Sequence, residues 1–567
     1  MQKFADEFTL PQRDAALDAP LGSSPSIELG GLGRRAASSL ARLSDQQLAL
    51  VLGAALFLLA AWPLVLVDVP PFQDLPNHLA TVTVIRHLDR YPEFVFNGYF
   101  KTNSALFTWL LLVGNVVGTT AAARLFAVMV LALGASAYPQ FVLSFAGRRK
   151  MVMSAFFAWP MVHNWFVSMG MLDFALGVPL ATLLLVLLNA QRARPSVRRA
   201  VGIAALAVLT WHAHVFPLLV VLLLIALEVG LQRGWRERAA RARALVVPIV
   251  PAAALVIQSL RLHATEPEGA MTGYVAIGRM LPPWELFYNM WAEWFYGFTW
   301  LEIATLVPCI GMGLWAIYRW RDSVPFFGAV PLAALAALYF FTPYVTTNWF
   351  HVNSRLIPFL WLAALLRLPD RLPRRLLLVL GACALSYTAG MGTDYVRLRR
   401  DWARFTAGIG TVPEGARLLP LIFKSKGSSE NTRSLLHAWG FYVTAKLTSA
   451  PLLFAHSRSF PVMYRTPPEP QFNHLVLESF APNMATPAWG CGVLWSGGVT
   501  TPDCPAAWRS RWADFWRQAT PRFDHVLMWE APRDVLGLVP PEYHVAFQRD
   551  ELTIFERREA PVPTASR

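Results

Sequence analysis

Long apolar runs separated by clusters of basic residues constrain this chain more than any other feature. The run LALVLGAALFLLAAWPLVLVD, at residues 48–68, is 21 residues long, and a helix of that length crosses a hydrocarbon core of roughly 30 Å. The sequence therefore predicts an α-helical polytopic membrane protein with about eleven transmembrane helices. The ten further apolar segments lie near residues 122–145, 151–169, 171–190, 200–213, 214–231, 244–260, 301–318, 323–342, 355–368 and 375–391.

The basic clusters predict which side of the membrane each connection occupies. Lys and Arg collect in short cytoplasmic loops, and assigning every cluster to the cytoplasm gives a consistent alternation over eleven spans. The alternation requires that LFTWLLLVGNVVG (106–118) does not cross, which its shortness favours. The concentration of Lys and Arg in cytoplasmic loops then explains the net charge of +14. The sequence shows no nucleic-acid-binding motif, so we expect no nucleic-acid partner.

The two ends of the chain differ in character from the apolar region, 46–391. Residues 1–45 lack sustained periodicity and predict a disordered cytoplasmic tail. Residues 392–567 are polar and rich in Pro and Trp, and the segments 523–531 and 543–558 are typical of β-strands. We expect a soluble α/β domain there, on the periplasmic side of the inner (plasma) membrane, where a Cys491–Cys504 disulfide is allowed.

Polar residues concentrate at the predicted outer ends of the spans. Asp74 and His78 in the first outer loop, 70–104, are four residues apart, so a helix would carry both on one face. Ionisable groups near hydrocarbon usually mark a site or pathway, and their convergence on one side predicts a site that opens outward. A transporter would instead place them near the midplane of broken helices. The other candidates are His163, Asn164, Asp173, His212, His214, Arg261, His263, Glu285, Glu293, Asn348, His351, Asn353 and Arg355.

Several of these residues also have a purely structural interpretation. Asp74 could cap a helix that starts at LPNHL, and Asp173 could be a turn or cap residue of the hairpin SMGMLDFALG. Arg355 could extend from a helix end to the interface. His212 and His214 are two residues apart, so a regular helix would not direct both towards one ion.

The organisation resembles that of the GT-C glycosyltransferases, the membrane enzymes that use polyprenyl-phosphate-linked sugars and include protein mannosyltransferases and the lipid A aminoarabinose transferase. The resemblance extends from about residue 46 to the end, in the single first span, the long first outer loop and the soluble C-terminal domain. Asp74 in PFQDLPNHLA lies where this family keeps a first-loop acid, and Asp173 where some members keep a second.

The resemblance implies transfer of a sugar from a lipid phosphate to a hydroxyl acceptor on a glycan, lipid or protein, with inversion at the anomeric carbon. Asp74 would act as the general base, and His78 is the second catalytic candidate. The phosphate that departs needs a cation, for which we predict Arg355 and Arg261, with His78 or His351 assisting.

Further residues are predicted to complete the site. Asp173, His163, His212, His214 and Glu285 are candidates for binding substrate. A divalent ion, Mg²⁺ or Mn²⁺, held by Asp74 and Asp173 would share the task of stabilising the phosphate.

Other functions fit parts of the sequence. A transporter or flippase for an amphipathic lipid or glycan is one alternative, although the chain lacks paired Gly/Pro-broken helices in matching halves. A polymerase or ligase of surface polysaccharide uses the same donors, but typically has its large outer loop in mid-chain. A non-catalytic assembly protein with an exported binding domain is a third.

Overall fold

The structure, a computed structural model, describes residues 42–264, 280–295, 299–346, 349–429, 432–466, 468–487 and 504–558. Most of the predicted N-terminal tail lies outside the described residues, although Asp45 already belongs to a helix. Cys491, one of the two cysteines of the predicted Cys491–Cys504 bridge, also lies outside them.

Helices make up most of the described chain and are numbered here in chain order. In the N-terminal half they are α1 (Asp45–Ala61), α2 (Leu75–Arg86), α3 (Ala105–Leu112), α4 (Gly114–Val117), α5 (Thr119–Ala146), α6 (Arg148–Val162), α7 (Trp165–Ser168), α8 (Leu172–Ala193), α9 (Val197–Ala213), α10 (Val215–Gly230), α11 (Trp235–Leu245) and α12 (Val250–Ala264). They continue as α13 (Pro283–Ala292), α14 (Thr299–Tyr318), α15 (Ala329–Phe341), α16 (Ile357–Leu365), α17 (Arg374–Phe405), α18 (Gly440–Lys446), α19 (His474–Asn483), α20 (Cys504–Ala519) and α21 (Arg533–Leu536).

The apolar helices identify a polytopic membrane protein. In the part of the chain that the structure describes, five helical segments are long and apolar enough to cross a bilayer: Asp45–Leu66, Thr119–Ala146, Leu172–Ala193, Trp235–Leu262 and Arg374–Thr411. Shorter apolar helices occur at Ala105–Val117, Val215–Gly230, Thr305–Tyr318, Ala329–Phe341 and Ser354–Leu365. The count of eleven spans stays a prediction.

The segment 106–118 forms two short helices rather than one long one. Helix α3 and helix α4 meet at Val113, and Gly118, with φ +85°, separates them from α5. At about 1.5 Å per residue, neither helix is long enough to cross the hydrocarbon core, in keeping with the interfacial element that the sequence suggests.

A four-stranded sheet lies at the centre of the C-terminal region. Its order is β4 (Leu418–Ile422), β6 (His525–Trp529), β8 (Leu552–Arg557) and β7 (Tyr543–Arg549), with β4 and β6 parallel and the other pairs antiparallel. The strand predictions for 523–531 and 543–558 are confirmed, the latter as a hairpin that turns at Asp550, where φ is 52°.

Side chains alternate between the two faces of this sheet, as the pleat requires. Leu419 and Leu421 pack with the tryptophans of α20. Leu418 and Ile422 face the opposite side and pack with Phe405, near the end of α17. The 32-residue helix α17 therefore runs from the apolar bundle directly into the sheet.

Helix α2, in the segment 70–104 that the sequence predicts to be the first outer loop, lies between the bundle and the C-terminal region. Leu75, Leu79 and Val82 belong to the core of the bundle, whereas Ala80 and Val84 belong to the core of the C-terminal region. Every residue of α2 from Leu75 to Val84 is buried. The burial of α2 therefore depends on both halves of the molecule.

Hydrogen bonds to backbone groups fix α2 and the following strand against the C-terminal region. The amide of Asn77 donates to the carbonyl of Leu452 over 3.1 Å and accepts from the backbone N–H of Phe454 over 3.2 Å. Strand β1 (Phe94–Phe96), further along the same loop, pairs antiparallel with β5 (Val462–Tyr464). The last described sheet, β2 (Val345–Thr346) with β3 (Trp349–Phe350), is a short hairpin before α16.

We predict that Gly440→Ala loosens the contact between α18 and α2. A Cβ at Gly440 would lie 2.3 Å from the carbonyl oxygen of Pro76, so the two helices must separate, at a cost of about 1–3 kcal/mol. Thermal unfolding of the purified protein should show a lower midpoint. Gly381→Ala in α17 is the control, because no atom of the described residues outside the nearby backbone of α17 lies within 4 Å of its Cβ position. An unchanged midpoint for Gly440→Ala would contradict this packing.

Candidate functional site

A cavity of about 260 Å³ lies where the first outer loop, the bundle and the C-terminal region meet. Each of the three regions contributes side chains to it. The polar and charged residues that line it are Gln73, Asp74, His78, Thr102, Asn103, Asp173, His214, His351, Arg355, Arg433, His437, His456, Ser459, His474 and Glu478.

Asp74 immediately precedes α2, at the N-cap position, but its side chain makes no capping hydrogen bond. The interpretation of Asp74 as a simple helix cap is therefore not supported. Its backbone N–H donates to the carbonyl of Met169 over 3.1 Å. Gly170 has φ +84°, and a Cβ there would lie 2.8 Å from the Asp74 nitrogen. Only glycine allows the backbones at residues 170 and 74 to come this close. The close contact leaves the Asp74 side chain directed into the cavity.

His437 joins Asp74 to a second carboxylate. Its Nδ1 lies 3.0 Å from Oδ1 of Asp74, and its Nε2 lies 3.1 Å from Oε1 of Glu478. Gln73 supports the arrangement, since its Nε2 donates to Oδ1 of Asp74 and its Oε1 accepts from the backbone N–H of Arg433. An imidazole between two carboxylates holds a proton strongly.

The charge states follow from these contacts. Burial alone lowers the pKa of His437, but hydrogen bonds and the charges of Glu478 and Asp74 outweigh burial and raise the pKa of His437 to about 9. Burial alone raises the pKa of Asp74, yet contact with His437 and its charge leave the pKa of Asp74 below its ordinary value. At neutral pH the pair is therefore a carboxylate and an imidazolium.

His78 lies one helical turn after Asp74 and lines the same cavity. Its ring packs edge-on against Phe107 and Phe454, with centroid distances of 5.2 and 6.0 Å. Burial lowers the pKa of His78 to about 4, although the Asp74 charge opposes this. His78 is therefore neutral, and its buried Nδ1 has no hydrogen-bond partner among the described residues.

Arg355 supplies a cation from the bundle side. Its Nη1 lies 2.6 Å from Nε2 of His214, its Nη2 donates to the carbonyl of Phe350, and its guanidinium lies over the ring of Phe174 at 5.4 Å. These contacts align the guanidinium at the cavity wall. A guanidinium can form paired hydrogen bonds with phosphate oxygens.

His351 lies four residues before Arg355 in an unusual backbone conformation, with φ 57°. Its Nδ1 lies 2.9 Å from Oε1 of the buried Glu293 and 2.6 Å from the Tyr344 hydroxyl, and its ring packs edge-on against Trp165. A left-handed conformation at a non-glycine residue costs about 1–3 kcal/mol and persists where its surroundings enforce it. These contacts direct His351 towards the cavity.

The carboxylates do not form a fitting metal site. Asp173, near the start of α8, lines the cavity, but its Oδ1 accepts from the backbone N–H of Leu106 over 2.8 Å. Asp74 is paired with His437. Within the described residues, no group of three or more His, Cys, Asp or Glu side chains could hold an ion. The donor set does not fit the ion predicted at Asp74 and Asp173, and metal dependence stays a prediction.

Four predicted residues do not line this cavity, and their assignment to a functional site stays a prediction. His163 has both ring nitrogens within hydrogen-bond distance of protein atoms, the Ala60 carbonyl and the Tyr395 hydroxyl. His212 contacts the Lys101 carbonyl and the Thr108 hydroxyl in the same way. Arg261 and Glu285 are not among the lining residues either; Arg261 is exposed on α12, and Glu285 lies in the first turn of α13.

None of the C-terminal residues that line the cavity is predicted from the sequence. His437 gives no local signal, because its partner Asp74 lies more than 360 positions earlier in the chain. One signal was available in α19, where His474 and Glu478 have the same four-residue spacing as Asp74 and His78. That spacing places both on one face of the helix, and both line the cavity.

Comparison with known proteins gives structural similarity only. No family model matches the chain, and no curated protein matches it. It is similar to the structure of ArnT from Cupriavidus metallidurans in the apo state, at 13% identity and a TM-score of 0.47, over 85% of this chain and 92% of that one. It is also similar to the arabinofuranosyltransferase AftD from Mycobacteria, at 14% identity and a TM-score of 0.47.

The second similarity covers 91% of this chain but only 42% of AftD, so the chain spans less than half of that protein's length. At these identities and TM-scores, neither similarity assigns an activity to the chain. The chemistry must follow from the cavity itself.

The raised pKa of His437 predicts how stability depends on pH. A group whose pKa rises on folding contributes stability that is fully present below its unfolded value, about 6.5, and is lost as the pH rises through about 9. The groups around His437 are Asp74, Glu478, His78 and His474. The thermal unfolding midpoint should therefore decrease as the pH rises from 6.5 to 9.

His437→Gln is the comparison, since it keeps a polar side chain but cannot take up the proton. Its midpoint should be lower than that of the wild-type protein near pH 6.5 and should vary much less up to pH 9. Equal pH dependence in both proteins would rule out the imidazolium between Asp74 and Glu478.

Proposed function

We propose that this protein is a membrane glycosyltransferase that moves a sugar from a polyprenyl-phosphate donor to an acceptor hydroxyl. One observation carries the proposal: a carboxylate held by a buried imidazolium, Asp74 with His437, lines the same cavity as the guanidinium of Arg355. Such a cavity offers a proton acceptor for a hydroxyl and a counter-charge for a phosphate.

The reaction assigns one task to each group. The acceptor oxygen forms a bond to the anomeric carbon as the bond from that carbon to the phosphate oxygen breaks. The electron pair of the broken bond leaves with the phosphate, and the hydroxyl proton passes to the Asp74 carboxylate. Attack from the side opposite to the leaving phosphate inverts the anomeric centre, as in inverting enzymes that act on sugars.

His437 keeps Asp74 ready for this step. The low pKa of Asp74 ensures that it is ionised before the acceptor arrives. The contact with His437 also fixes the carboxylate in one orientation, and Glu478 fixes His437 in turn. Orientation of a base towards the reacting hydroxyl is a large part of general-base catalysis.

Arg355 and His351 are the groups proposed to bind the donor phosphate. The developing charge on a leaving phosphate is stabilised by fixed cations and hydrogen-bond donors in a site of low dielectric constant. Arg355 is already aligned by His214 and Phe174, and His351 by Glu293. Both are thus pre-organised, which avoids the cost of ordering them during the reaction. A divalent ion is not needed for this assignment.

The polytopic architecture suits a lipid-linked donor. The polyprenyl chain would remain among the apolar helices while its phosphate reaches the cavity. The basic clusters support the outer face of the inner membrane as the location, with the N-terminus in the cytoplasm and residues 392–567 in the periplasm.

We predict that Asp74→Asn lowers transfer activity by about 10²–10⁴-fold, because an amide keeps the shape of the side chain but cannot accept the hydroxyl proton. Asp68→Asn is the control. Asp68 lies in the same segment, but its side chain is 83% exposed and pairs only with Arg399 among the described residues. Activity should be measured with labelled lipid-linked sugar extracted from membranes of cells lacking the protein. Near-wild-type transfer by Asp74→Asn would overturn the assignment of the base.

The orientation can be tested with single-cysteine variants and a thiol reagent that does not cross the membrane. Lys424→Cys, in the C-terminal region, should react in intact spheroplasts, because the Lys424 side chain is 73% exposed. Arg238→Cys, exposed in the basic helix α11, should react only after the membrane is opened. The opposite pattern would place the cavity on the cytoplasmic side and contradict the proposed location.

A further inference from the structure

Four aromatic rings form a closed group in the C-terminal wall of the cavity, and all four line it. Phe454 stacks on Phe460 with a centroid distance of 5.7 Å, and Phe460 contacts His456 at 5.3 Å. His456 stacks on His474 at 4.2 Å, and His474 returns to Phe454 at 6.0 Å. This aromatic quartet, Phe454, His456, Phe460 and His474, has no role in the steps proposed above.

The loop that carries three members of the quartet is held in place by the first outer loop. The amide of Asn97 donates to the carbonyls of Arg458 and Phe460, each over 2.9 Å. Lys101 donates to the same Arg458 carbonyl. Within the loop, the hydroxyls of Ser457 and Ser459 are 2.9 Å apart. The quartet is thus a pre-formed surface, and pre-formed surfaces bind with a smaller entropy cost.

The quartet adjoins the proposed base. The ring of Phe454 packs edge-on against His437 at 4.9 Å and against His78 at 6.0 Å. His437 is the partner of Asp74, and Glu478, on the same helix as His474, is the second partner of His437. A molecule that lies on the quartet therefore lies beside the Asp74 carboxylate.

The cation side of the cavity is built from different elements. Arg355 contacts His214 and Phe174, which belong to the bundle, whereas the quartet belongs to the C-terminal region. In an inverting transfer the acceptor and the leaving group lie on opposite sides of the anomeric carbon. With the phosphate at Arg355, the acceptor must approach from the side of Asp74 and the quartet.

The chemistry of the quartet favours a carbohydrate as the molecule bound there. Phenyl rings offer flat apolar faces, which suit the C–H faces of a sugar ring. Burial and the charges of His456 and His437 hold the pKa of His474 well below its usual value, so this ring is neutral. A neutral imidazole has one donor and one acceptor nitrogen, and with the Ser459 hydroxyl nearby this suits sugar hydroxyls.

We infer that the aromatic quartet is the acceptor subsite and that the acceptor is a sugar ring of a glycan or glycolipid. The inference rests on the proposed glycosyl transfer and narrows it to one class of acceptor. Polypeptide acceptors would present a Ser or Thr hydroxyl on an extended chain. Phosphorylated acceptors would need a cation beside the rings, and Arg433 is the lining residue to provide it.

The test compares two reactions of the full-length protein with the same labelled lipid-linked sugars. One is transfer to the glycolipid and polysaccharide fraction of the membranes, and the other is hydrolysis of the donor by water. Phe460→Leu removes a ring face but keeps the apolar character, and His456→Ala removes an imidazole. Each should lower the ratio of transfer to hydrolysis by about 3- to 10-fold at low acceptor concentration, the effect of one aromatic contact.

Three controls separate recognition from structural damage. Phe460→Tyr keeps the ring and should restore the wild-type ratio. His544→Ala, on the exposed strand β7 of the same region, should leave both reactions unchanged. Arg433→Gln should leave the ratio of transfer to hydrolysis unchanged if the acceptor is a neutral sugar. A lower ratio in this variant would contradict a neutral sugar and favour an anionic acceptor.

Three further outcomes would each contradict a proposal. Equal losses of transfer and hydrolysis in Phe460→Leu and His456→Ala would contradict the assignment of the quartet as an acceptor subsite. Release of the label from the product by protease digestion would identify a polypeptide acceptor. That result would overturn the inference of a sugar acceptor but not the proposal of a glycosyltransferase. A wild-type protein that neither hydrolyses nor transfers the donor would overturn both.

Discussion

The buried contact between Asp74 and His437 brings together the two halves of this molecule at the cavity. Asp74 comes from the first outer loop and His437 from the C-terminal region, and only 3% of the His437 side chain is exposed. Burying two opposite charges costs several kcal/mol per ion unless further hydrogen bonds compensate. Glu478 and Gln73 provide that compensation, so the pair is stable only while both halves are docked.

The packing around this pair follows from the same requirement. Gly170 and Gly440 let two backbones approach the start of α2 where any side chain would clash. The Asn77 side-chain amide then holds α2 against the C-terminal region through two hydrogen bonds to backbone groups. Because the cavity walls come from three separate regions, any movement of the C-terminal region relative to the bundle changes the width of the cavity. Access for large substrates and alignment of the base are therefore linked.

The sequence predicted well what depends on local patterns. Apolar length indicated a polytopic membrane protein, and the predicted strand segments 523–531 and 543–558 contain β6, β7 and β8. Six of the residues that the sequence places at the predicted outer ends of the spans line one cavity: Asp74, His78, Asp173, His214, His351 and Arg355. The sequence could not show that His214 lines the cavity and His212 does not, because the side on which each ring lies depends on where α9 ends. Nor could it find His437, since contacts between distant segments leave no local pattern.

The most direct test of the account is a cryo-EM structure of the protein in a lipid bilayer disc with a polyprenyl phosphate added. The account predicts phosphate density inside the cavity, in direct contact with the Arg355 guanidinium and next to His351, with the polyprenyl chain leading into the apolar helices. The Asp74 carboxylate should remain paired with His437 and face the phosphate across the cavity. Phosphate bound at the basic cytoplasmic loops, with the cavity occupied by water alone, would contradict it.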